Sequence, residues 1–161
     1  MIDYVFTPDL RCLKCGKVTA SDSRQTCINK DPHSVGYTIG SRFDLPDDLE
    51  GFADGDYLPT RPDFVPGEHL RVLEVWYCHH CGESSLCVWS FADKVLVRAH
   101  RVETTPAAFA EVDLYTNEIS TDWLREALLE TYPDHGEAIE FMTLAECVEV
   151  NISGRMVEDP D

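Results

Sequence analysis

Two copies of one short motif constrain this chain more than anything else in it. Cys12-Leu-Lys-Cys15-Gly16 and Cys78-His-His-Cys81-Gly82 are both CxxCG knuckles. In such a turn two thiolates reach one metal from a tight loop. The glycine after the second cysteine takes backbone angles that let amide N–H groups approach the sulfurs. Two knuckles from distant parts of a chain supply four sulfurs, the tetrahedral donor set of structural zinc. The expectation is one structural Zn2+ held by Cys12, Cys15, Cys78 and Cys81. A single CxxC could instead be a redox pair, but that reading wants a βαβ context and none is visible. Incidental core cysteines are the remaining alternative. A site with four sulfur ligands is coordinatively closed, so it would staple the fold and would not activate water.

Length and charge bound the rest. A chain of 161 residues fits one domain, or one with a small appendage. At that size folding buries roughly 70% of the surface of the unfolded chain, enough for a core without disulfides. The N-terminal stretch Met1–Arg11 has no basic region followed by an apolar run, so no signal peptide is expected. The apolar stretch Ser84–Ala92 is too short to span a bilayer. The expected setting is cytoplasmic, with seven reduced cysteines, an odd number in any case. Thirty acidic against 13 basic residues give a net charge of −17. That excludes nucleic-acid binding by the whole surface and disfavours docking on an anionic membrane.

The acid is unevenly placed. Residues 1–35 are net +1, residues 36–70 net −6, residues 71–105 neutral and residues 106–161 net −12. Residues 44–68, with four prolines and three glycines, read as an irregular acidic excursion that is neither helix nor strand. His69–Tyr77 reads as a strand, and Leu86–Phe91 with Val95–Val102 as a hairpin turning at Ala92-Asp93-Lys94. Beyond Pro106, Phe109–Tyr115 alternates loosely as a strand. Ser120-Thr121 caps a helix with Trp123, Leu124, Ala127 and Leu128 on its apolar face, ended by Pro133. Ala138–Met142 reads as a short strand. Thr143-Leu-Ala-Glu146 has capping-box form and opens a second helix, with Leu144, Cys147 and Val148 facing the core and Gly154 as its stop. The expected fold is α+β: a zinc ribbon extended by an antiparallel sheet over 1–105, and an acidic α+β extension with two helices over 106–161, packed on the first part.

Residues 10–103 resemble a loosely defined group of small bacterial zinc-ribbon proteins of uncharacterised function. The resemblance is carried by both knuckles, by Gln25-Thr26 with Pro32, by Tyr37 with Gly40, and by the hairpin Leu86–Val102 ending in Val102-Glu103. It implies a ribbon fold and a metal, and no activity. The 62 residues between the cysteine pairs exceed compact ribbon spacing, and the 44–68 excursion would account for the excess.

Other residues could carry chemistry. Cys87 and Cys147 read as buried structural thiols. Cys27 with His33 could be a further ligand pair. His79 and His80 lie inside the second knuckle, where one could replace a sulfur. His135-Gly-Glu137 has the HxE form of zinc deaminases, but it follows the CxxC segment rather than preceding it. Asp54-Gly-Asp56, with Asp44, Asp47, Asp48 and Glu50, could gather a hard cation, though the EF-hand pattern is absent. No catalytic or phosphate-loop signature occurs. The leading functional expectation is a non-enzymatic module that binds a protein partner with a basic surface, as an immunity protein or inhibitor of a nuclease-like protein would. The alternatives are a ribbon that binds nucleic acid through Lys14, Lys17, Arg24 and Lys30, and an enzyme with an acidic-cleft site.

Overall fold

A computed structural model of the chain describes residues 3–6, 10–19, 23–61, 63–78, 80–102, 108–109, 111–119, 121–140 and 146–147. The strands in chain order are β1 (Asp3–Phe6), β2 (Leu10–Arg11), β3 (Val18–Thr19), β4 (Ser23–Thr26), β5 (Gly36–Tyr37), β6 (Tyr57–Pro59), β7 (His69–Tyr77), β8 (Ser84–Ala92), β9 (Val95–Val102) and β10 (Leu114–Thr116). The helices are α1 (Leu49–Asp54), α2 (Thr121–Thr131) and α3 (Gly136–Glu140). The content is mixed α+β.

Leu70, Val72, Leu73, Val75 and Trp76 make β7 apolar on both faces, which is the pattern of a strand covered on both sides. It lies third in a five-stranded sheet of order β6-β10-β7-β8-β9. The β7–β8 register runs unbroken from His69↔Ala92 to Tyr77↔Ser84. Asp93 and Lys94, at φ +48 and +66, turn β8 into β9 with the left-handed pair that a two-residue hairpin needs. One face carries Val72, Trp76, Trp89, Phe91 and Leu96, packed with Val5, Ile28, Tyr37, Phe43 and Phe52. Val5 and Tyr37 come from a three-stranded sheet of order β4-β1-β5. The other face carries Leu73, Val75, Leu86 and Val88, covered by Phe109, Leu124 and Leu128 of α2, Ile139 of α3 and Cys147.

Four sequence expectations need correction. The expected antiparallel sheet is mixed, because β10 runs parallel to β7 and β5 runs parallel to β1. Residues 44–68 are not wholly irregular. Asp48 caps α1 by accepting the Gly51 N–H at 2.8 Å, and β6 pairs with β10 as an edge strand, where Pro59 costs no ladder bond. Residues 138–140 of the expected strand Ala138–Met142 are helical, because Ile139 buries its side chain from a single turn on α2. Among the described residues of Phe109–Tyr115, only Leu114 and Tyr115 are in a strand, and this strand inserts between β6 and β7. The capping box at Thr143 and the stop at Gly154 lie outside the described residues, as does His79. The strand His69–Tyr77 and the hairpin stand where the sequence put them, with β8 starting two residues earlier. No helix among the described residues is long and apolar enough to cross a membrane.

Candidate metal centre

The two knuckles fold alike. In the first, between β2 and β3, the Cys12 N–H donates to the Lys17 carbonyl at 2.9 Å and the Gly16 N–H to the Cys12 carbonyl at 2.9 Å. In the second, between β7 and β8, the Cys78 N–H donates to the Glu83 carbonyl at 3.0 Å and the Gly82 N–H to the Cys78 carbonyl at 2.8 Å. Gly16 and Gly82 share φ +73, a conformation that a side chain would strain. Lys14 of one knuckle pairs with Glu83 of the other at 3.1 Å, and the Arg11 guanidinium donates to the Gly16 carbonyl at 2.6 Å.

The four sulfurs of Cys12, Cys15, Cys78 and Cys81 lie within 4.8 Å of one another. Cys12 and Cys81 are 3.7 Å apart across the knuckles, and so are Cys15 and Cys78. A tetrahedron of sulfurs about 2.3 Å from a central Zn2+ has edges of about 3.8 Å. The donors are all soft thiol sulfur, which suits a tetrahedral thiophilic ion and leaves no position for water. Cys12 and Cys78 are buried, with Cys15 and Cys81 on the outer side.

Their electrostatics point the same way. The Cys15 N–H draws the Cys12 thiol down to about 6, against its burial and with help from the Lys14 N–H. The Cys81 N–H lowers Cys78, again against burial. At Cys81 the Glu83 N–H favours the thiolate, but burial and the three neighbouring sulfurs push it up to about 11. Backbone dipoles thus invite thiolates into a space where several thiolates repel. A cation at the centre removes the conflict.

The remaining candidates do not converge. Among the described residues these cysteines are the one group of three or more His, Cys, Asp or Glu side chains placed to share an ion. Cys27 is exposed, the backbone N–H of His33 donates to Asp3, and neither side chain joins a group of three ligands among the described residues. Cys87 and Cys147 are buried. His80, His135 and Glu137 are exposed, and Asp54 and Asp56 gather no third ligand.

Sequence reasoning missed a buried polar network in the middle of β7. Glu74 of β7 sits inside the first core, where the Tyr57 hydroxyl of β6 donates to its carboxylate and Thr26 of β4 meets Tyr57 at 3.3 Å. A lone acid inside Leu73-Glu74-Val75-Trp76 is the signal that could have flagged it. The network joins strands of both sheets. A hollow of about 540 Å³ opens nearby, floored by Leu45, Phe52, Leu70 and Phe91, with Asp47, Glu68, Asp93 and Lys94 at its rim.

No protein-family model, curated protein or solved structure matches this chain.

Proposed function

We propose that this chain is a zinc-stapled, non-enzymatic binding module, a zinc ribbon in its metal-bearing part, whose acidic surface receives a basic protein partner. The observation that carries the reading is the convergence of four sulfurs at tetrahedral spacing, with no other donor among the described residues. Such a site is filled by its own ligands, so the metal holds the knuckles together rather than reacting. The acidic surface is then the feature with an external counterpart. Asp47, Asp48, Glu50, Asp54 and Asp56 are exposed around α1, and Glu126, Glu130, Asp134, Glu137 and Glu140 along the α2–α3 layer. The rim of the hollow sets three carboxylates against Lys94, already paired with Asp47 at 2.9 Å. Charge of one sign over such surfaces speeds encounter with the opposite sign. An immunity-type or inhibitory role toward a nuclease-like protein fits that chemistry. Nucleic acid fits it less well: of the four cations near the first knuckle, Lys14 is paired with Glu83 and Arg24 with Glu118.

The test joins metal analysis to capture. Purified chain should carry one zinc. Nuclease-treated lysate of the host should yield a basic protein at low salt that is depleted at higher salt. The isolated pair should then bind with a steep salt dependence, weakened by Asp47→Asn with Glu68→Gln and Asp93→Asn. A chain with no zinc ends the staple reading. A partner that is not basic, no partner at either salt, or preferential binding of oligonucleotides ends the acidic-module reading.

A further inference from the structure

In a chain so rich in acid, one row of the large sheet is cationic. The registers Arg71↔Ser90 and Ser90↔Arg98 put Arg71 of β7, Ser90 of β8 and Arg98 of β9 side by side on one face. Strands lie about 4.8 Å apart, so the two arginines flank the Ser90 hydroxyl at about 10 Å between Cα atoms, within reach of one small anion. The next row on this face is Leu73, Val88 and His100. Leu73 and Val88 enter the second core, so the row of arginines lies where the helical layer stops.

These two cations lack the carboxylate partner that five of the other basic side chains have. Lys14, Arg24, Arg42, Arg61 and Lys94 have carboxylate partners, whereas Arg71 and Arg98 have none among the described residues. Asp113 is the carboxylate beside Arg71, and it is committed elsewhere. It accepts from the Arg61 guanidinium at 3.1 Å and from the Arg71 backbone N–H at 3.0 Å. The Nδ1 atom of His100 is buried with no hydrogen-bond partner among the described residues. Burial first, then Arg98, and also Arg71, hold His100 toward its neutral form, with Glu111 acting the other way. Both arginines therefore act on the same imidazole. His69 extends the patch one row further on the same face.

We propose that Arg71, Ser90, Arg98 and His100 form a binding site for a small phosphate-bearing ligand. Two guanidinium forks can grip one tetrahedral oxyanion, the Ser90 hydroxyl can donate between them, and the proton that His100 takes up as the anion binds adds a further donor. Glu111 and the surrounding net charge of −17 select for a compact anion over a polyanion. This site lies apart from the sulfurs and does not depend on the role assigned to the acidic surface.

The probe is inorganic phosphate, titrated at constant ionic strength against the zinc-loaded full chain, with the His100 ring followed by NMR. Saturable shifts are expected, with the His100 pKa rising as phosphate fills the site. Arg98→Gln and Arg71→Gln should each weaken binding roughly tenfold or more, the scale of a lost charged hydrogen bond. Both side chains are exposed, so the variants should fold, and Arg42→Gln, an exposed arginine whose carboxylate partner is Asp93, should bind as the parent does. A sugar phosphomonoester should compete with phosphate, and a short oligonucleotide should not. Linear, unsaturable shifts would overturn the proposal. Unchanged affinity in both arginine variants, or tighter binding of the oligonucleotide than of phosphate, would do the same.

Discussion

Asp3 and Glu74 are both buried carboxylates, and their surroundings drive them in opposite directions. Burial raises Asp3, but the Asn29 amide, the Val35 and His33 N–H groups and the His33 charge outweigh it, so its pKa falls below the ordinary value. Its stabilisation is present above the unfolded pKa and is lost as pH falls through the lowered one. Burial also raises Glu74, and the Tyr57 hydroxyl, Arg24 and the Val75 N–H only partly oppose it, leaving it at about 7 against an ordinary 4.5. Between those two values the folded chain keeps a proton that the unfolded chain has released. Stability therefore falls as pH rises through that window. Glu74→Gln cannot ionise and can still accept from Tyr57. It should be more stable than the parent by about 2–3 kcal/mol at pH 8, with the gap closing toward pH 5. Urea unfolding of both zinc-loaded chains across this range checks it, and parallel pH curves would place the titration on another group. Glu74 is visible in the sequence as an acid among apolar neighbours. Tyr57 is not visible as its partner, because no spacing rule links a residue on an edge strand to one two strands away.

Among the elements, α1 shows how close packing hid from the sequence. Gly55 follows the helix, and a Cβ there would lie 2.3 Å from the Cys27 carbonyl oxygen, a backbone atom with little freedom to move. Gly55→Ala should cost about 1–3 kcal/mol by overpacking. Gly67→Ala, with nothing within 4 Å of its Cβ, is the comparison that should change little. Thermal denaturation of the two variants checks the pair. Strands β7, β8 and β9 were legible because eight or nine residues of β-favouring side chains leave little choice of period. The short pieces were not. A six-residue helix and a three-residue edge strand carry too few apolar positions to distinguish either from a loop rich in proline and glycine. Ile139 shows the same limit: one buried residue in five fits a helix and a strand alike. The small sheet β4-β1-β5 is built of strands of two to four residues, with no alternation long enough to read.

For the molecule as a whole, the sulfur cluster joins the N-terminal hairpin β2–β3 to the end of the large sheet. Its four members were legible because each knuckle is local and complete in sequence. What the sequence withheld was that the two would meet. Cys78→Ser should lower the zinc content below one per chain and lower the melting temperature. Hydrogen exchange should then quicken around residues 10–19 and 78–84 while the interior of β7 and β8 stays protected, since both faces of that sheet keep their cores. Full zinc occupancy with unchanged melting would remove Cys78 from the site.

The sheet order also bears on the sequence of events during synthesis. β10 lies between β6 and β7, yet it leaves the ribosome after both. The stretch from Tyr77 to Leu114 takes a few seconds at about 5–20 residues per second. Throughout that delay β6 and the inner edge of β7 stand ready with a gap between them. The hairpin can form as soon as it emerges, but the seam in the middle of the sheet is sealed by a strand that arrives late. A chain truncated near residue 105 would hold all four clustered cysteines and still expose two unpaired strand edges. The four sulfurs can meet before the sheet is whole.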